Sequence, residues 1–111
     1  MQRGEFYRLK NPLRDPKDHR VYLVVSRQEF INTAYSSVIA IPVYSVANGV
    51  RTEVAVGPDL GLKHRSFLRC DELTSVEKAR LTDFVGRMPD DRMEEVHLAM
   101  LLALAILPSE L

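Results

Sequence analysis

The strongest constraint on what this chain can fold into is one long helix signal at its C-terminal end, "PDDRMEEVHLAMLLALAIL", residues 89 to 107, preceded only by short runs. Pro89 suits the first turn of a helix, and Asp90 and Asp91 there oppose the macrodipole favourably. The pattern stops before Pro108. From Val96 onward the segment is apolar on almost every side, which is more than the stripe a helix needs to sit on one sheet. A chain of 111 residues cannot wrap such a helix completely, so its second face is expected to meet a second copy or a partner. Covering two or three Leu or Met side chains at ~25 cal/mol per Å² is worth several kcal/mol.

Everything before that helix reads as short strands and turns. "GEFYRLK" alternates after Gly4, and "VYLVVS", residues 21 to 26, is a nearly continuous β-branched run of the kind a central strand shows. Between them "NPLRDPKDHR", with two prolines and mixed charge, is a loop. "VIAIPVYSV" is a further strand whose Pro42 argues for an edge, a bulge or a strand end. Asn48-Gly49 then gives the strongest short hairpin signal, so the strands on either side of it are expected to pair antiparallel. Thr74 followed by Glu77 matches a capping box and predicts a short helix from about Ser75 to Leu81, with one more strand in "TDFVGRM". The sum is an α+β chain, mainly β: a strongly curved antiparallel sheet or small barrel with a short inserted helix and a C-terminal helix, in one domain spanning residues 1 to 111.

Composition narrows the function classes. The single Cys70 cannot form an internal disulfide, and three isolated histidines supply no zinc spacing, so a reducing compartment and no metal are expected. The longest apolar run, Leu98 to Leu107, is too short to span a bilayer, and the N-terminus is too polar for a secretory signal; a cytoplasmic protein is expected. The formal net charge is zero, yet residues 1 to 27 carry seven Lys/Arg against three Asp/Glu while residues 83 to 111 carry two against six. The basic end is therefore the better polyanion face, although solvated surface charge accounts for the same asymmetry.

One stretch bears on chemistry. In "FLRCDELTSVEKARL" the alternation of a strand would put Phe67, Arg69 and Asp71 on one face and Leu68 and Cys70 on the other. That face offers a cation beside a carboxylate, which on the residues alone reads as an ordinary same-face pair on an exposed sheet, worth about 0.2 to 1 kcal/mol.

Five segments in order, "RGEFYRL", "HRVYLVVS", "IPVYS", "RCDELTSVEKARL" and "GRMPDD…EEVHLAMLLALAI", give the chain its likeness to a known family. No one of them is specific, but in register they cover nearly the whole length, and the chain resembles the MazF/PemK toxin endoribonucleases of type II toxin-antitoxin systems, nearest to the PemK branch around "R-C-D". The resemblance implies an SH3-like barrel with added helices, a homodimer, and cleavage of single-stranded RNA without metal or cofactor. It also implies a cognate antitoxin protein whose disordered segment folds over the dimer groove.

What the resemblance implies for the site is a set of residues. Arg69 and Asp71 match the family's catalytic arginine and aspartate, and Arg20, at the mouth of the second strand, would be the second phosphate ligand or the general acid. Guanidinium forks suit phosphate oxygens, and a carboxylate can take the proton of an attacking 2′-OH. Tyr44 stands where the family commonly has a catalytic threonine, and Ser45 keeps the second hydroxyl. Arg14, Lys17, His19 and Arg65 would contact RNA, with His19 ranked below Arg20 as a proton donor because neighbours on a strand face opposite ways. His64 is expected to be exposed and His97 packed inside the last helix. The loop before Arg20 lacks the family's Glu-Gln-Gly, and Glu72 replaces a common Gln, adding negative charge near the RNA path. Two other readings stay open: a protein-binding toxin like the gyrase-inhibiting CcdB branch, and a silent homologue that binds RNA or antitoxin only.

Overall fold

The computed structural model describes residues 1–10 and 20–107. Their elements are β1 (Glu5–Leu9), β2 (Val21–Val24), α1 (Gln28–Ile31), β3 (Ser37–Tyr44), β4 (Glu53–Val56), β5 (Ser66–Arg69), β6 (Thr74–Glu77), β7 (Leu81–Arg87) and α2 (Asp90–Ala103). The strands form one antiparallel sheet in the order β4-β5-β3-β2-β1-β7, with β6 added to the first half of β3. This is the α+β architecture with a C-terminal helix expected from the sequence.

β2 shows why "VYLVV" is so apolar. Leu23 packs with Phe6, Ile41, Leu68 and the α2 residues Met93, Val96 and Ala99, whereas its neighbour Val24 packs on the other side with Leu9, Ile31, Val38, Ala40 and Val76. A strand with core on both faces has no polar side to alternate with.

The sheet curls until its two ends meet. The 3-10 turn Pro58–Leu60, which follows β4, lies against Val85 and Gly86 of β7 at the far end of the strand order. A Cβ on Gly86 would stand 1.8 Å from the Leu60 carbonyl oxygen, and one on Gly61 would stand 2.2 Å from that of Val85. Only glycine at both positions lets the backbones pass this closely.

Three expectations need correction. Thr74–Glu77 is a strand, β6, and only Lys78–Arg80 turns helically, as a 3-10 turn. A helix of about two turns, as expected from Ser75 to Leu81, would close few hydrogen bonds, while as a strand Thr74–Glu77 pairs with Ser37–Ala40, buries Val76 and turns Ser75 and Glu77 to solvent. Secondly, β3 and β4 do not pair with each other: β5 lies between them and pairs with both. Gly49 does turn, at φ +76°, but residues 45 to 52 form a long loop wound around the Glu53 carboxylate, which accepts the Asn48, Gly49 and Val50 N–H groups. That loop holds the strands apart. Lastly, α2 ends at Ala103: Ala105 adopts φ +55°, its N–H donates to Leu102 and that of Ile106 to Leu101, the Schellman arrangement.

The helix buries Met93, Val96 and Ala99 and leaves Leu98 62% and Leu102 49% exposed, with Leu104 and Leu107 also in solvent. The apolar second face anticipated from the sequence is therefore uncovered in the isolated chain. No helix among the described residues is long and apolar enough to cross a membrane. The short α1 was not anticipated; four residues leave no helical period to read.

Candidate active site

The site grows out of strand register. Tyr22 pairs with Pro42 across β2 and β3, so Arg20, two residues earlier, stands opposite Tyr44 on the same face. Tyr44 also pairs with Phe67 of β5, and Arg69, two residues further on, shares that face. Both arginines consequently converge on one ring: the guanidinium carbon of Arg20 lies 3.8 Å and that of Arg69 3.7 Å from the Tyr44 centroid. β3 lies between β5, which carries Arg69, and β2, which Arg20 precedes, so the two guanidiniums approach Tyr44 from opposite sides. Such contacts are worth about 0.5 to 1 kcal/mol each at exposed sites.

Each arginine is anchored. Arg20 Nη1 donates to the Val43 carbonyl at 3.0 Å. Arg69 Nη2 donates to the Val46 carbonyl at 3.2 Å and Nη1 to Glu72 Oε2 at 3.2 Å, while its Nε lies 3.7 Å from Glu53 Oε2. Glu72 Oε1 accepts the Tyr44 hydroxyl at 2.5 Å. The hydrogen bond from Tyr44, followed by that from Arg69, holds the Glu72 carboxyl below its ordinary range. Partial burial, followed by the bond to Glu72, raises the Tyr44 phenol, so Tyr44 is a proton donor near neutrality and no base. The Glu53 carboxyl is lowered chiefly by the Asn48 N–H, helped by Val50, Gly49 and Arg69.

On the Arg20 side of the ring opens a cleft of about 320 Å³, lined by Arg8, Arg20, Lys63 and His64, by the hydroxyl residues Tyr44, Ser45 and Ser66, and by Val21, Val43 and Leu62. Among the described residues no carboxylate lines it. Its chemistry is that of an anion site, with guanidinium, ammonium and hydroxyl donors around one space.

Of the residues singled out in the sequence, Arg20, Tyr44 and Ser45 meet in this cleft and Arg69 reaches the far face of Tyr44. Asp71 does not join them. The strand ends at Arg69, and residues 70 to 72 form a 3-10 turn, which breaks the alternation that would have kept Asp71 on the Arg69 face. Asp71 instead accepts the Thr52 hydroxyl at 2.6 Å and lines a separate depression with Gly49, Val50, Arg51, Thr52 and Leu102. The turn carries Glu72 to Arg69 in its place. Arg65 lies elsewhere too, beside Ala55–Asp59 and Arg92, its guanidinium 5.7 Å from the Phe67 ring. Arg14, Lys17 and His19 lie outside the described residues. Cys70 packs behind the site as expected; burial, then the charge of Asp71, pushes its thiol up to about 11. His64 is exposed as expected, and also on the cleft wall.

Sequence reasoning missed Arg8, Lys63 and the position of His64. Arg8 pairs with Val21, beside Arg20, so the β1/β2 register would have found it. Lys63 and His64 reach the cleft because the preceding Gly61 is seated against β7, a contact with no local signal.

Comparison with known proteins bears on this arrangement. The profile of the family described as PemK-like, MazF-like toxin of type II toxin-antitoxin system matches residues 2–104. The chain belongs to this PemK/MazF toxin family. Similar solved structures include an endoribonuclease from a mycobacterial species, 25% identical, covering 96% of this chain and 91% of that one with a TM-score of 0.77. A mycobacterial endoribonuclease in complex with its cognate antitoxin is 23% identical, with 95% of each chain covered and a TM-score of 0.80. A MazE-MazF structure from Deinococcus radiodurans is 23% identical, with 96% and 97% covered and a TM-score of 0.75. Comparison with curated proteins finds no significant match.

Proposed function

We propose that this PemK/MazF-family chain is an endoribonuclease toxin that cuts single-stranded RNA, held in check by a cognate antitoxin. The observation that carries the reading is the cleft itself: Arg20, Arg8 and Lys63 surround a space that the hydroxyl-bearing residues Tyr44 and Ser45 also line. Transesterification needs no more than this and a proton carrier. The ribose 2′-OH gives up its proton to the carrier as its oxygen attacks phosphorus, and the bond from phosphorus to the 5′-oxygen breaks. A 2′,3′-cyclic phosphate forms, and the departing 5′-oxygen takes a proton. Arg20 and Lys63 neutralise the charge that builds on the phosphorane oxygens, and Tyr44 and Ser45 donate to them. With Asp71 in a separate depression, His64 on the cleft wall is the proton carrier we assign. The likeness to two mycobacterial endoribonucleases, one of them in complex with its cognate antitoxin, supports both the activity and an antitoxin partner. The uncovered Leu98 and Leu102 support a homodimer through α2.

The test is cleavage of an unstructured RNA in the presence of EDTA, with the new ends analysed for cyclic phosphate and Arg20→Ala as control. RNA left intact at high protein concentration, by a chain that still arrests growth, would move the assignment to a protein-binding toxin acting through the exposed face of α2.

A further inference from the structure

Arg69 is met by two carboxylates of opposite character. Glu53 is 5% exposed in its side chain and fixed by three backbone N–H groups, so its carboxylate stays 3.7 Å from Arg69 Nε whatever the guanidinium meets at its other end, an ion pair without a hydrogen bond. Glu72 is 45% exposed, sits at the end of a 3-10 turn and touches Arg69 only through Nη1. Its other oxygen takes the Tyr44 hydroxyl. One planar anion thus receives a guanidinium N–H and a phenol O–H on two oxygens, the pattern by which such donors recognise phosphate. A phenol has a single proton to donate, so Tyr44 cannot serve Glu72 and an incoming phosphate oxygen together.

We infer that Glu72 is an internal anion occupying the Arg69–Tyr44 position, and that it must swing out before a phosphate group can bind there. The inference deepens the ribonuclease reading and rests on it only for naming RNA as the source of that phosphate. The lowered Glu72 carboxyl and raised Tyr44 phenol agree with a closed arrangement near neutrality. Glu53 keeps its contact throughout, so the displaced state retains Arg69 in position with Nη1 open. This makes Glu72 a competitor of substrate on the Arg69 side of Tyr44, while the cleft on the Arg20 side stays open.

The test uses inorganic phosphate on the full chain, titrated by the NMR resonances of Tyr44 and Arg69, in the parent and in Glu72→Gln. The substitution is isosteric and lies on an exposed turn, so folding is not at stake. Affinity is expected to rise about three- to tenfold, the range for releasing an exposed, hydrogen-bonded ion pair. The gain must vanish when Arg69→Met is added, because it is transmitted through that guanidinium. An unchanged affinity in Glu72→Gln overturns the inference, and so does a gain that survives Arg69→Met, which is the signature of long-range charge repulsion alone. A mixed-sequence oligoribonucleotide is assayed in parallel. A matching gain in RNA binding extends the displacement to the polymer. A phosphate gain with no RNA bound or cut by any variant leaves the Glu72 switch standing and removes the ribonuclease reading.

Discussion

Gly86→Ala is the sharpest test of how the sheet is closed. A methyl group there would lie 1.8 Å from the Leu60 carbonyl oxygen and 2.8 Å from its carbon, both backbone atoms. Restoring van der Waals contact at 3.4 Å requires one backbone to retreat from the other by about 1.6 Å. No rotamer change can absorb this, so the cost belongs at the upper end of the overpacking range, about 3 kcal/mol. For a domain of this size that is a fall in Tm of about 10 to 15 °C, readable by thermal unfolding followed with circular dichroism. Gly49→Ala is the control: it suffers the strain of φ +76° but has nothing within 4 Å, and should cost about 1 kcal/mol. Because Leu62, Lys63 and His64 follow directly on the displaced segment, Gly86→Ala should also weaken ligand binding in the cleft. A Gly86→Ala protein melting within about 3 °C of the parent would refute the claim that β7 closes against the turn after β4.

Other outcomes follow from the same coordinates. Ala105→Gly should stabilise the chain by about 1 kcal/mol, since glycine bears the left-handed conformation without the Cβ clash; an unchanged urea midpoint would deny the Schellman end of α2. Acidification should weaken the fold in two steps. The first comes from His97, whose imidazole is lowered below 6.5 by burial and then by Arg3, so the unfolded chain takes up the proton first and stability drops as pH falls below 6.5. The second comes from Glu53 and Glu72, both lowered from 4.5, whose contribution is present above that value and lost as pH falls through their folded values. In His97→Leu the first step should disappear from a pH series of denaturation midpoints while the second persists. In the cleavage assay, Arg20→Lys should lose about 10- to 100-fold, because an ammonium keeps the charge but not the fork. His64→Ala should lose more activity than Asp71→Asn, and the reverse order would sink the role assigned to His64.

What was legible in the sequence divides along the range of the forces involved. β2 announced itself because burial on both faces leaves an unbroken apolar run, and α2 because fourteen residues give room for a period and an acidic first turn. β6 misled because Thr74 and Glu77 fit a capping box locally, while the reward for being a strand lies in β3, more than thirty residues away. Arg20, Tyr44, Ser45 and Arg69 were found by family likeness and meet through strand register. Asp71 was misplaced because alternation was carried one turn too far, and nothing local announces that the chain leaves the sheet after Arg69. Glu53 gave no signal at all; its importance comes from three N–H groups of a loop that reads as a simple hairpin.

Cys70, 2% exposed and with its thiol raised to about 11, is the one cysteine of the chain. Thiolate is the reactive form, so disulfide reagents and alkylators find almost none of it while the native packing holds. The chain therefore carries a built-in clock: the rate at which a reagent captures this sulfur reports how often the barrel wall behind Arg69 opens.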